Sequence, residues 1–378
     1  MNTDTKRACR GCGRGPLHRV LDLGRMPAAD DFPLVSTPVD TDAVYPLAME
    51  LCGRCGLAQL AEDATTPAEP KAVESLALRK QAADAVACAA AAGWLRGGTV
   101  REFASPHGGS WLPLITARGF TPVEGAADVV VDCFGLMHEP DQRSAFAQRA
   151  IATRPGGVLL VQFHSLRAIV AGSQWNCLRH GHFAYYSMSA LWTLLYSAGM
   201  SPVAAWEFDL YGGTVLVAAV HGFTQPQQSL RRVLSAEAHT LGAVRVADLQ
   251  KAADRQARSL RGWLEAESAA GSTVCAYGAA SRAVALFSLA GAHRGLVRAV
   301  ADAAPAKQGR RMPGTAIPII APAELVAMRP DRVLLTLPDL LPEVSVSCPE
   351  LDGAWVVDVD EPGAPDTEAE HRQGGATV

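Results

Sequence analysis

Residues 127–163, ADVVVDCFGLMHEPDQRSAFAQRAIATRPGGVLLVQF, read as strand, loop, helix and strand. ADVVVDCFGL (127–136) is a run of β-branched and apolar residues that predicts a buried strand. DQRSAFAQRAIATRPGG (141–157) predicts a helix with a Pro-Gly-Gly stop, and VLLVQF (158–163) predicts the next strand. Upstream, GGTVREFASPHGG (97–109) sets a short apolar strand before a Gly-containing turn, and a second turn is expected at Thr121–Gly125. Downstream, SMSALWTLLYSAGM (187–200) predicts an amphipathic helix opened by a Ser cap and closed near Gly199. Strand and helix in this alternation predict a doubly wound sheet.

Outward from this core the chain divides further. Lys71–Leu95 is Ala-rich, lacks Gly and Pro until Gly93, and predicts a helix. Residues 229–268 contain no Pro and intersperse Leu230, Val233, Leu234, Leu241, Leu249, Leu260 and Trp263 among Arg, Glu and Gln, which predicts one or two long connecting helices. STVCAYGAASRAVALFSLAG (272–291) predicts strand, Gly turn and helix. RAVADAAP (298–305) and DRVLLTL (331–337) predict two more strands, so a second, smaller α/β unit is expected. The expected organisation is a module at 1–65, an α/β domain at 70–225, a helical connector at 229–268, a C-terminal α/β domain at 269–358, and a polar, disordered tail at 359–378.

Composition bounds the function. The 378 residues carry 34 Lys+Arg against 38 Asp+Glu, a formal net charge of −4. A balanced surface of this kind suits neither nucleic acid nor an anionic membrane. Hydrophobic residues at 49% and charged residues at 19% exclude wholesale disorder. No apolar run reaches the length of a membrane span, and MNTDTKRACRGCG lacks the apolar core of a signal peptide, so a cytoplasmic location is expected.

Four of the nine cysteines form two Cys-x-x-Cys pairs, Cys9 with Cys12 and Cys52 with Cys55. Four thiolates in two close pairs give the closed tetrahedral set that structural zinc prefers, and Gly11, Gly13, Gly53 and Gly56 suit tight knuckle turns. Neither pair opens a helix in a βαβ unit, which argues against a redox role. The set leaves no open coordination position, so the zinc is expected to hold structure rather than catalyse.

CRGCGRGPLHRVLDLGRMPAADDF (9–32) with YPLAMELCGRCGLAQL (45–60) resembles the N-terminal zinc-binding module of the bacterial sugar C-methyltransferases, which methylate a carbon of nucleotide-linked 4-keto deoxysugars with S-adenosylmethionine (SAM). Three further tracts follow in the family's order. RHGHFAYYSMSAL (179–191) resembles its Tyr-His-Glu-His…Tyr-x-Ser tract, LYGGTVLV (210–217) its His-Gly-Gly-Ser-x-Arg-Val tract, and the stretch from Val274 through VADAAPAKQGRRMPG its C-terminal domain. The resemblance implies an α/β fold with a small zinc-binding N-terminal module and two Rossmann-like domains.

It also implies site residues. His182 would be the base that forms an enolate beside a carbonyl, with His180, Arg179 and Tyr211 beside it, because neutral imidazole suits that task near pH 7. Packing at a strand–helix junction is the alternative role for these histidines, and Arg179 could instead stabilise an enolate or bind a phosphate. Gly212, Gly213, Thr214, Tyr277, Lys307 and Arg310 would contact substrate. SAM would engage Glu102, Ser105, Gly108, Glu124 and His138.

The departures fall on that cofactor region. The family's Glu-Ile-Gly-Ser-Asn-Asp-Gly is Glu102-Phe103-Ala104-Ser105-Pro106-His107-Gly108 here, and a long stretch the family places after its ribose-binding acid is absent after Glu124. In the substrate tracts, Arg179 replaces a Tyr, Gly181 a Glu, and Pro338-Asp339 a Trp-Asn pair. Two enzymatic readings follow. One is SAM-dependent C-methylation of a nucleotide-linked keto-deoxysugar; the other is a SAM-independent isomerisation, epimerisation, elimination or cyclisation through the same enolising site.

Overall fold

The structure, a computed structural model, describes residues 8–65, 74–105, 108–240 and 242–359. Pro106 and His107 of the altered turn, Leu241, and residues 360–378 of the expected tail lie outside the described residues.

Three sheets organise the chain. In chain order the strands are β1 Leu17–Pro27, β2 Val44–Cys52, β3 Ala58–Leu60, β4 Thr99–Phe103, β5 Thr121–Pro122, β6 Ala127–Cys133, β7 Thr153–His164, β8 Ala184–Tyr185, β9 Met200–Phe208 and β10 Thr214–His221. The C-terminal strands are β11 Val274–Tyr277, β12 Val300–Ala301, β13 Ile319–Ile320, β14 Arg332–Leu335 and β15 Trp355–Val356. The middle sheet has the order β5-β4-β6-β7-β10-β9, with β4, β5, β6 and β7 parallel and β10 antiparallel to both neighbours. The C-terminal sheet is all parallel, β13-β12-β11-β14-β15. The α/β class with two Rossmann-like sheets is therefore the observed fold.

The helices are α1 Leu76–Ala91, α2 Leu112–Thr116, α3 Gln142–Ala152, α4 Leu166–Ala171, α5 Met188–Ser197, α6 Gln228–Thr240, α7 Ala243–Ala269 and α8 Ser281–Ala290, followed by short helices in the last domain. The Ser187 side chain caps α5 by accepting from the Ala190 N–H at 3.1 Å, and the Asp141 carboxylate caps α3 through Ser144 N–H. Val129, Val130 and Val131 of β6 and Leu159, Leu160 and Val161 of β7 are all inaccessible to solvent, which is why both strands read as continuous apolar runs.

The first sheet departs from the expected self-contained module. Its order is β1-β2-β3-β8, so its last strand comes from the middle of the chain. The connector is equally shared. Val246, Leu249 and Ala253 of α7 pack with β1, β2 and Trp175, while its Leu260 and Leu264 pack with the C-terminal sheet. Arg311 closes the ring: fully buried, it forms a two-pronged ion pair with Asp42 at 2.6 Å, tying the N-terminal segment to the last domain. The three parts thus pack as one body around a central opening.

Candidate active site

Two knuckles build the N-terminal metal site. Gly13 N–H donates to Cys9 O at 2.8 Å and Gly56 N–H to Cys52 O at 3.0 Å; both glycines have φ near +70°, a region that penalises a side chain. Cys9 Sγ lies 3.6 Å from Cys55 Sγ and Cys12 Sγ 3.7 Å from Cys52 Sγ, with all four sulfurs within 4.8 Å of one another. Tetrahedral thiolates bound at ~2.3 Å stand roughly 3.8 Å apart, so the donor set fits zinc without rearrangement. All four positions are filled by protein sulfur, which makes the ion structural.

This module holds the 179–182 tract from one side. β3 pairs with β8 through Ala58↔Tyr185 and Gln59↔Ala184, immediately after His182. Asp63 Oδ2 accepts from Gly181 N–H at 2.6 Å, and Leu60 N–H donates to Phe183 O at 3.3 Å. Gly181 itself has φ +78°, so the tight turn between the two histidines requires a glycine there. The zinc knuckles are therefore linked to the 179–182 tract by backbone pairing.

The tract faces a cleft of about 200 Å³ between the middle and C-terminal sheets. Arg179, His182 and Tyr211 reach it from the middle domain, Tyr277, Arg282 and Lys307 from the last, and His164 from the end of β7. Arg179 Nε donates to His182 Nε2 at 2.8 Å, with its Nη2 also 2.5 Å from that nitrogen. A guanidinium cannot accept, so Nε2 is the acceptor and the neutral ring carries its proton on Nδ1. Arg179 is held in turn by Asp30 at 3.7 Å, and Asp30 accepts a hydrogen bond from Ser281 Oγ at the start of α8. On the far side, the Arg282 guanidinium lies 5.5 Å over the Tyr211 ring and within 3.3 Å of His164 Nδ1. Lys307 Nζ donates to Ala279 O at 2.9 Å and pairs with Asp302 at 3.6 Å beside the Gly278 turn. Burial pushes the Tyr211 hydroxyl and the Asp339 carboxyl up from their ordinary values, in both cases against the nearby charge of Arg282.

Several residues assigned from the sequence stand elsewhere. His180 lies outside the cleft lining: its Nε2 is 3.2 Å from Pro46 O and its ring packs on the edge of Tyr45. His138 packs edge-on behind His182 with ring centroids 4.2 Å apart; burial, aided by the charge of Arg179, lowers its pKa to about 3 and keeps it neutral. Gly212 and Gly213 serve backbone geometry. A Cβ at Gly212 would fall 1.8 Å from Gln174 Nε2, and one at Gly213 2.4 Å from Ala168 Cβ. Thr214 is fully buried with Oγ1 3.4 Å from Gln162 Nε2. Arg310 is turned away, donating to Phe32 O at 2.6 Å and Ala306 O at 3.0 Å.

The residues assigned to SAM do not converge among the described residues. Both Glu102 oxygens are engaged, one by Ser110 Oγ at 2.5 Å and the other by Trp111 N–H at 2.6 Å. Glu124 is exposed just beyond β5, a two-residue edge strand. Gly108 N–H donates to Ser105 O at 3.3 Å, and neither residue lines the cleft. Glu74 fills the space over Gly109, where an added Cβ would lie 2.1 Å from its Oε1. Conversely, His164, Arg282 and Asp302 line the cleft and were given no role from sequence, and Asp339, noted there only as a departure in the substrate tracts, lines it too. The available signal was positional: polar residues at the carboxyl ends of parallel strands face the ligand side of an α/β sheet.

The profile of the C-methyltransferase C-terminal domain matches residues 209–357, and that of a zinc binding domain matches residues 9–68. The C-methyltransferase NovU of Streptomyces niveus is 27% identical over 242 residues, which cover 61% of this chain. The chain is thus similar to C-methyltransferases over these stretches. The matched stretch spans 56% of the length of that relative. Among solved structures, an O-methyltransferase family protein from Burkholderia thailandensis is 16% identical, over 39% of this chain and 58% of that one, with a TM-score of 0.28. Magnesium protoporphyrin IX methyltransferase from Synechocystis, with bound SAM, is 13% identical over 38% and 80% of the two chains, also with a TM-score of 0.28. These two likenesses are partial and carry no functional argument. No helix among the described residues is long and apolar enough to cross a membrane.

Proposed function

We propose that this protein is a C-methyltransferase that enolises an anionic ketone, of the nucleotide-linked keto-deoxysugar class, and methylates the adjacent carbon with SAM as donor. What supports the reading most is the convergence of Arg179, His182, Tyr211, Arg282 and Lys307 on one cleft between the two Rossmann-like sheets. Three fixed cations suit a phosphorylated substrate, and the tyrosines and Phe134 supply apolar walls. SAM supplies an electrophilic methyl group; every step below belongs to the chain's own residues.

His182 is the base in this reading, and Arg179 controls it. With the guanidinium on Nε2, the imidazole lone pair is engaged. An anionic substrate competes for Arg179, and its withdrawal frees Nε2 to take the proton from the carbon beside the carbonyl. The C–H electron pair then passes into the carbonyl, leaving an enolate oxygen among the cations. His138, neutral and packed against His182, fixes the ring plane.

One observation favours the SAM-independent reading: Glu102 is engaged by its own helix start, Glu124 is exposed, and neither reaches the cleft. Calorimetry with SAM separates the two. Micromolar binding is expected for methyl transfer. No binding, together with uptake of solvent deuterium by a nucleotide-linked 4-keto deoxysugar, establishes the second.

A further inference from the structure

His164, the last residue of β7, is the cleft's least explained group. It is 4% exposed and lines the opening between the domains. Its Nδ1 lies 3.3 Å from Arg282 Nη2 and 3.6 Å from Cys177 Sγ. Because a guanidinium only donates, Nδ1 is the acceptor, and the neutral ring must carry its proton on Nε2. Nε2 is buried and has no hydrogen-bond partner among the described residues. A buried N–H without a partner is costly, and in a ligand cleft the missing acceptor is most simply an atom of the ligand.

We propose that His164 donates its Nε2–H to the carbonyl oxygen of the bound substrate, with Arg282 fixing the tautomer. The proposal rests on the reading above, in which the ligand is an anionic ketone. Charge supports it. Burial, then the adjacent Arg282, hold the His164 pKa well below that of a free imidazole, against the weaker opposing effect of the nearby Gln174 side chain. His164 is therefore a neutral donor across the working pH range, which polarises a carbonyl without competing for the proton that His182 must take. The two histidines of the cleft are paired with arginines in the same way but left with opposite tasks. The Arg179 contact covers the nitrogen that would serve as base, whereas the Arg282 contact covers the nitrogen opposite the free N–H.

The test uses the full zinc-loaded chain labelled with ¹⁵N-histidine. Without ligand, two-bond ¹H–¹⁵N spectra near neutral pH should show His164 as the Nε2–H tautomer; an Nδ1–H tautomer or an imidazolium there overturns the proposal. The probes are thymidine diphosphate-linked 4-keto-6-deoxyglucose and thymidine diphosphate-linked glucose, which lacks the carbonyl. The keto compound should move the Nε2-bound proton downfield and the hydroxyl compound should not. His164→Ala should weaken the keto compound about tenfold, with His164→Gln restoring part of that, while the hydroxyl compound changes less than about twofold. If calorimetry shows the keto compound bound with the His164 signal unmoved, the proposal fails and the substrate reading stands. If neither compound binds, the substrate reading fails and takes the proposal with it.

Discussion

The zinc knuckles and the β4–β5 edge are both short motifs of glycine and polar residues at strand ends, yet they have fared differently. At the knuckles, four sulfurs from two distant pairs lie within 4.8 Å, and Gly13 and Gly56 adopt the positive φ that their turns need. At the β4–β5 edge, Glu102 is tied to Ser110 and Trp111, Glu74 covers Gly109, and Glu124 faces solvent. The contrast teaches that what is kept is what supports the tract at 179–182. The knuckles reach it through β3, β8 and Asp63.

The largest effect expected from this comparison is loss of the metal. Metal analysis should return one zinc per chain, and Cys52→Ser should remove it and lower stability by several kcal/mol, because folding and metal binding are coupled in such sites. Activity should fall with it, since the pairing of β3 to β8 depends on the module. Full activity in a zinc-free chain would break the link drawn between knuckle and cleft.

Next comes the tract itself. His182→Ala should cost ~10²–10⁴-fold in turnover with fold and zinc content unchanged, the usual contribution of a positioned base. His180→Ala should cost far less, because its ring is engaged by Pro46 and Tyr45 away from the cleft. Retention of more than half of the activity by His182→Ala excludes enolisation at that residue.

Glu102 sharpens the other side. As a helix-start acceptor, Glu102→Gln should lower stability by about 1 kcal/mol in denaturant titration and leave SAM affinity nearly unchanged. A tenfold or greater loss of SAM affinity would instead make Glu102 a cofactor ligand and erase the contrast.

The smallest effect concerns Glu237 of α6, which accepts the Met188 N–H at the start of α5 at 2.7 Å. Burial raises its pKa from 4.5 to about 7. The folded state therefore binds this proton more tightly than the unfolded state. Its contribution to stability is complete below pH 4.5 and is lost as pH rises through about 7. Thermal melts between those limits should show that slope in the native chain and a flatter one in Glu237→Gln.

What the sequence determined by itself was local. Cys9 with Cys12 and Cys52 with Cys55 were legible because a two-residue spacer places paired thiolates on one turn wherever the chain then goes. β6 and β7 were legible because strands buried on both faces must be apolar throughout, and α5 because Ser187 caps it within three residues. The Arg179–His182 neighbourhood was likewise visible, although the hydrogen bond that engages Nε2 was not. What only the tertiary structure decided was every relation across long separations. β3 pairs with a strand formed more than a hundred residues later, Arg311 pairs with Asp42, and Arg282 reaches His164 from another domain. Such contacts leave no spacing in the sequence, because a side chain's partner across a domain boundary is set by how whole sheets and helices pack, not by the residues beside it.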